Sequence, residues 1–231
     1  MLNLKSVLLI TFLLAIFCAE LTAAIERCQI DSPETHQARI ARNSEDFERA
    51  KKKKAQKKKN AKKPVVEPVY ELRVLFHVLQ DSKGKEGRVP VDSILANIEN
   101  ANKVLSGAAN TRGRGVDSKI RLVLAGITYT NNTDWFTRCS DYNVAGDFKL
   151  ATALYAASHV NVWTCKSDTL LGWVHFLPYE LTQHSVWNGV NINYKSLPLS
   201  KSDRTYENYG DYADGDTFTH EFGHYLGLLH T

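Results

Sequence analysis

The sequence predicts an α/β (α+β) domain, a twisted mixed sheet with backing helices, preceded by segments that bury no core. Three observations carry this. The chain has 231 residues, 43% of them hydrophobic, which suits one domain of roughly 100–200 residues plus flanking segments. Runs rich in β-branched and aromatic residues alternate with stretches whose apolar residues recur at helical spacing. Turn residues separate them, and mixed strands and helices pack as layers over one sheet.

Residues 1–24 read as a signal peptide. Lys5 supplies a positive start, residues 7–18 (VLLITFLLAIFC) form a twelve-residue apolar run, and Thr22, Ala23 and Ala24 are small. The run is short for a span and its flanks suit cleavage after Ala23 or Ala24. A secreted, extracellular protein without a stable membrane anchor is expected. Residues 25–63 follow as a polar pro-segment and linker ending in a tract with nine lysines at 51–63 (KKKKAQKKKNAKK). Such a block repels itself and is expected to be a disordered or helical, solvated linker. It could also be cut by basic-specific processing proteases, or bind a polyanion such as heparin. A secretory leader argues against nucleic acid as the partner. The net charge of +4 belongs to this tract, because residues 64–231 carry 15 Lys+Arg against 18 Asp+Glu.

The folded part is expected over residues 64–231. Residues 70–80 (YELRVLFHVLQ) read as a strand and 81–90 as a loop. Ile94, Leu95, Ile98, Ala101 and Leu105 recur at helical spacing, with Asp92 as the expected cap. Residues 119–130 read as a second strand and 147–157 as a helix. Residues 159–164, 171–177 and 189–194 are further strands.

The chemistry lies in residues 220–231, HEFGHYLGLLHT. On a helix, His220 and His224 sit one turn apart on one face. Glu221 is next to the first of them, placed to reach a water on the metal rather than the metal itself. Gly227 tolerates the left-handed backbone that ends a helix, and a turn there returns His230 as third ligand. Three imidazoles and an open position fit catalytic zinc, and these ligands favour zinc over calcium or magnesium. The expected chemistry is peptide hydrolysis by water, with Glu221 as base and then acid. Phe222, Tyr225, Leu226, Leu228 and Leu229 are expected to pack in the core.

The pattern H-E-x-x-H-x-x-G-x-x-H is that of the metzincins. Within them the chain resembles the pappalysin family, in particular its secreted microbial members. HEFGHYLGLLHT resembles that family's motif, in which threonine follows the third histidine. Segments 74–78 (VLFHV), 161–164 (NVWT), 171–178 (LGWVHFLP) and 188–198 (NGVNINYKSLP) look like its strands and connections. The resemblance covers about residues 66–231. It implies a zinc endopeptidase acting on proteins or peptides, with an active-site helix below the sheet. It also implies an edge strand that binds extended substrate by main-chain pairing, assigned here to Gly172, Trp173, Val174 and His175. Latency through an upstream cysteine is implied at Cys28, in Glu26-Arg27-Cys28, although Gln29 stands where the family has glycine. With Cys28 on the metal, Cys139 and Cys165 would pair with each other. The family's methionine-bearing turn lies beyond the third histidine, whereas this sequence reaches Thr231 with Met1 as its sole methionine. The C-terminal subdomain is therefore expected to be missing, making the chain a fragment or a truncated product. A truncated, non-catalytic zinc-binding or polyanion-binding secreted protein is the alternative reading.

By count alone, the three cysteines left after the leader leave one free, metal-bound or paired outside the chain. Asn131-Asn132-Thr133 is a candidate glycosylation sequon at Asn131. His36, His77, His159, His175 and His184 have no mutual ligand spacing and read as core or surface residues. Asp211, Asp214 and Asp216 could hold calcium, but more simply cap the helix that follows.

Overall fold

The computed structural model describes residues 67–109, 115–181 and 185–230, with positions 49 and 52. The expected leader, Cys28, His36, His184 and nearly all of the linker lie outside the described residues. Strand β1 (Tyr70–Gln80) is central: its last seven residues, Val74 to Gln80, are all buried. Burial on both faces explains why its sequence runs apolar rather than alternating. It pairs in parallel with β2 (Ile120–Asn131) and β3 (His159–Cys165). The two-residue β4 (Gly172–Trp173) lies antiparallel to β5 (Gly189–Asn193), which is itself parallel to β3. The strand order is β2-β1-β3-β5-β4, so β2 and β4 are the two edges.

Helix α1 (Val91–Leu105) buries Ile94, Ile98 and Ala101 of the expected stripe, half-buries Leu105 and leaves Leu95 exposed. Asp92 does not cap it. Pro90 occupies the cap position, and the Asp92 carboxylate accepts hydrogen bonds from Ser200 Oγ, Lys201 N and Ser202 N, anchoring a distant loop. A one-turn helix α2 (Thr133–Thr137), not foreseen, is capped by Asn132. Helix α3 (Tyr142–Thr152) starts five residues before the expected 147. The Asp141 carboxylate takes the amides of Asn143 and Val144, which fixes the start there. It stops at Thr152 because Asn161 holds both backbone groups of Leu154. The Cys139–Cys165 disulfide ties the chain ahead of α3 to the end of β3 across a separation of 26 residues. Closing a loop of that size is worth about 3–4 kcal/mol in the chain-entropy account.

Helix α4 (Asp216–Tyr225) carries the motif and packs against β5, β4 and α1. Phe218 and Phe222 are fully buried beneath it, and Phe218 meets Phe76 of β1 at 5.9 Å. Each such ring stabilises the docked helix by roughly 1.5–3 kcal/mol. Leu226 and Leu228, expected in the core, are exposed: Leu226 is the C-cap at the helix end and Leu228 follows the turn at Gly227. Among the described residues no helix is long and apolar enough to cross a membrane.

Candidate metal centre

The start of α4 is set by close packing. Gly215 is its cap at φ +100°, where a side chain would meet Asn97 and Asn100 of α1. Asn100 Nδ2 also donates to the Asp214 carbonyl. The cap position itself is Gly215, with no side-chain cap; Asp214, just before it, accepts from Asp216 N at 2.9 Å, and Asp216 lies in the first turn.

The end of α4 is a Schellman turn. Leu228 N donates to Gly223 O and Gly227 N to His224 O, with Gly227 at φ +90°. This local geometry returns the chain so that His230 faces the helix. The Nε2 atoms of His220, His224 and His230 then stand 3.0–3.1 Å apart on all three edges. For bonds of 2.0–2.1 Å to zinc, a tetrahedral face has edges of about 3.3 Å, so the donor set fits the ion. Among the described residues these three alone bring a trio of ligand atoms together; the carboxylates of Asp211, Asp214 and Asp216 do not converge in this way.

The histidines are prepared for ligation. Burial, followed by the neighbouring His230, lowers the pKa of His220. Burial, opposed by a backbone hydrogen bond, brings His224 down to about 4. His224 Nδ1 donates to Leu228 O at 2.7 Å, which leaves the Nε2 lone pair for a metal. The same turn that brings in His230 thus also orients His224.

Glu221 is fully buried beside this triangle. With His220, Thr217, Leu171, Tyr212 and the three aspartates it lines a cleft of about 350 Å³. Its stem passes directly over Gly172. A Cβ built there would stand 2.6 Å from Glu221 Cγ and 3.0 Å from Thr217 Cγ2. The sequence reading named Gly172 as part of a strand and missed it as the seat of the carboxylate. The signal was a glycine in an otherwise bulky segment, LLGWV, where close approach is a standard reason for glycine.

The remaining nominated residues separate. The strand expected at 171–177 is paired only over Gly172 and Trp173. Trp173 and Val174 are buried, so their side chains face the core. His175 Nδ1 lies 3.1 Å from Asn191 Nδ2, and its ring packs edge-on against Trp187. His77 is a core histidine held by Thr128 and Asn161. His159 lies at the surface end of β3 beside Tyr155 and Ser158.

No protein-family model matches the chain. Proteins named extracellular metalloprotease are similar to it. The one from Arthroderma benhamiae is 28% identical over 160 residues, covering 69% of this chain and 47% of the relative. That from Sordaria macrospora is 29% identical over 164 residues, covering 69% and 50%. The chain spans about half the length of these curated relatives. Among solved structures, mature mirolysin of Tannerella forsythia in complex with a cleaved peptide superposes with a TM-score of 0.58 at 24% identity, covering 71% of this chain and 65% of that one. A promirolysin mutant of the same organism gives 0.59 at 21%, covering 89% and 70%. The chain is thus similar in sequence to proteins named extracellular metalloprotease, and it shares the α/β fold of mirolysin.

Proposed function

We propose that this chain carries the metal-binding and catalytic residues of a secreted zinc-dependent endopeptidase of the pappalysin type. One observation carries the reading: three imidazole nitrogens converge within 3.1 Å of one another beside a buried glutamate. His220, His224 and His230 would hold the ion. When bound, it supplies Lewis acidity to a water and to the scissile carbonyl.

The protein's own groups do the rest. The Glu221 carboxylate takes a proton from the attacking water and delivers it to the leaving amine. Seated on Gly172 and walled by Thr217, it has little freedom to swing away. Buried Phe218 and Phe222 fix the helix that presents both base and ligands. β4 is an edge of the sheet and touches Glu221 through Gly172. Its main chain supports the assignment of Gly172, Trp173, Val174 and His175 as a rail for extended peptide. Side-chain recognition by Trp173 and Val174 is not part of this reading, since both are buried.

The test is metal analysis and proteolysis of the secreted full chain alongside Glu221→Gln. One zinc per chain is expected in both proteins. Hydrolysis should fall by about 10²–10⁴-fold in the variant. A chain without tightly held zinc, or an active variant, overturns the assignment. Zinc without hydrolysis in the unsubstituted chain supports the non-catalytic alternative.

A further inference from the structure

In 231 residues the pattern Asn-x-Ser/Thr, with x other than proline, occurs once, at Asn131-Asn132-Thr133. Asn131 is the last residue of β2 and is exposed. Gly84 lies against its side chain at φ +65°, and a Cβ added there would come 3.1 Å from Asn131 Nδ2. Any side chain at Gly84 would crowd the one atom a sugar could join.

We propose that Asn131 is glycosylated and that the oligosaccharide is attached before the domain closes. In the reaction Nδ2 bonds to the anomeric carbon of an oligosaccharide carried on a lipid pyrophosphate. The carbon–oxygen bond to pyrophosphate breaks, the lipid pyrophosphate leaves with the electron pair, and Nδ2 gives up one proton to a base. No oxidant or reductant is involved.

The order of events follows from what the triplet does in the folded state. Asn131 is in register with Gln80 in the β1–β2 ladder, and Asn132 N donates to Gln80 O. Asn132 caps α2 through Trp135 N. Thr133 Oγ1 accepts from Ser82 N and bonds Ser82 Oγ, both at 2.8 Å. The triplet is extended and available only while β1, β2 and the loop between β1 and α1 are apart. A leader directing the chain into a secretory compartment supplies that moment.

The position also suits a glycan. β2 and β4 are opposite edges of the sheet, about 19 Å apart at four strand spacings, so a sugar on Asn131 stays clear of the histidine cleft. A bulky glycan at the end of an edge strand also hinders a second strand from pairing along it.

Expression of the full chain in a eukaryotic secretory host tests the proposal. An amide-cleaving glycosidase should increase gel mobility by one glycan and leave aspartate at position 131 in the peptide mass spectrum. Asn131→Gln and Thr133→Ala should lose the shift, Thr133→Ser should keep it, and zinc content and hydrolysis should match the unsubstituted chain in all of them. An unmodified Asn131 in secreted protein, from cells that glycosylate a co-expressed reporter sequon, overturns the proposal. Offered to the purified transferase, the folded chain made in bacteria should stay unmodified while a synthetic peptide of residues 125–137 is modified. Equal modification of both removes the claim of order.

Discussion

Burial lowers the basicity of members of two groups of bases in this molecule, His220 and His224 in the first and His77, His175 and Lys149 in the second. On α4 and its turn stand His220, His224 and His230. Behind the sheet stand His77, His175 and Lys149. Burial lowers the basicity of His77, and brings His175 down to about 3 with a smaller contribution from Lys149. It drives Lys149 well below its ordinary value. By basicity alone the two groups are alike, and His175 is displaced further than His224. Geometry separates them. The first trio aims three nitrogens at one point, with His224 Nδ1 already used by Leu228 O. In the second group His77 spends both nitrogens on Thr128 and Asn161, and Lys149 Nζ sits 3.6 Å above the Trp163 ring with no hydrogen-bond partner. A depressed pKa reports burial; a ligand site needs lone pairs that burial has left free and aligned.

The largest expected effect tests that distinction directly. His224→Ala should remove bound zinc and reduce hydrolysis by at least ~10³-fold, since it takes away the Lewis acid along with the ligand. His175→Phe should retain zinc, because that ring lies among aromatic neighbours and apart from the three ligating nitrogens. Metal content by mass spectrometry and peptide hydrolysis decide it. Loss of zinc from His175→Phe would put that ring inside the metal centre and erase the contrast between the two groups.

The contrast also explains what could be read from sequence. The first trio is local: an i, i+4 pair and a glycine three residues on are enough to place His220, His224 and His230. The Schellman turn at Gly227 is written in the same twelve residues. The second group is made by tertiary packing. Lys149 lies on a helix whose start was expected five residues later, and a lysine on an amphipathic helix reads as exposed until Trp163 covers it. β4 shortened for a related reason: the length of a strand is decided by its partner, and β5 meets it only at Gly172 and Trp173. The disulfide was expected as the remainder after Cys28, and Cys139 and Cys165 are indeed joined. The glycine in LLGWV signals a close approach at Gly172, but its partner Glu221 lies nearly fifty positions away and is set by tertiary packing.

Gly172→Ala comes next in size. The backbone there needs no left-handed conformation, so the only thing alanine disturbs is packing against Glu221, Thr217 and Ile192. Displacing the carboxylate by even about 1 Å should cost roughly 10²-fold in kcat/KM, with the loss in kcat rather than KM. Zinc should remain, since the atoms nearest the new methyl belong to Glu221, Thr217 and Ile192 and not to an imidazole. A variant that loses zinc along with activity would show that Gly172 supports the helix as a whole, and that base and ligands are not separable.

The smallest effect concerns Lys149 and is one of stability. With its pKa well below 10.5 in the fold, the folded chain gives up this proton at a lower pH than the unfolded chain does. The sign follows by linkage: stability rises with pH, and the penalty fades as the unfolded lysine loses its own proton near pH 10.4. His77 and His175 face the same aromatic cluster, but their folded and unfolded titrations lie at or below about pH 6.5, outside that window. Lys149→Met keeps the apolar stem over Trp163 and removes the amine. It should stabilise the domain by roughly 1–3 kcal/mol at pH 7, a gain that shrinks as the pH approaches 10. Urea midpoints at pH 7, 8.5 and 10 measure this. A gain that does not vary with pH would mean that Lys149 stays protonated above Trp163, while a loss would mean that the ammonium–ring contact outweighs desolvation. Either result would confine the burial effect behind the sheet to His77 and His175.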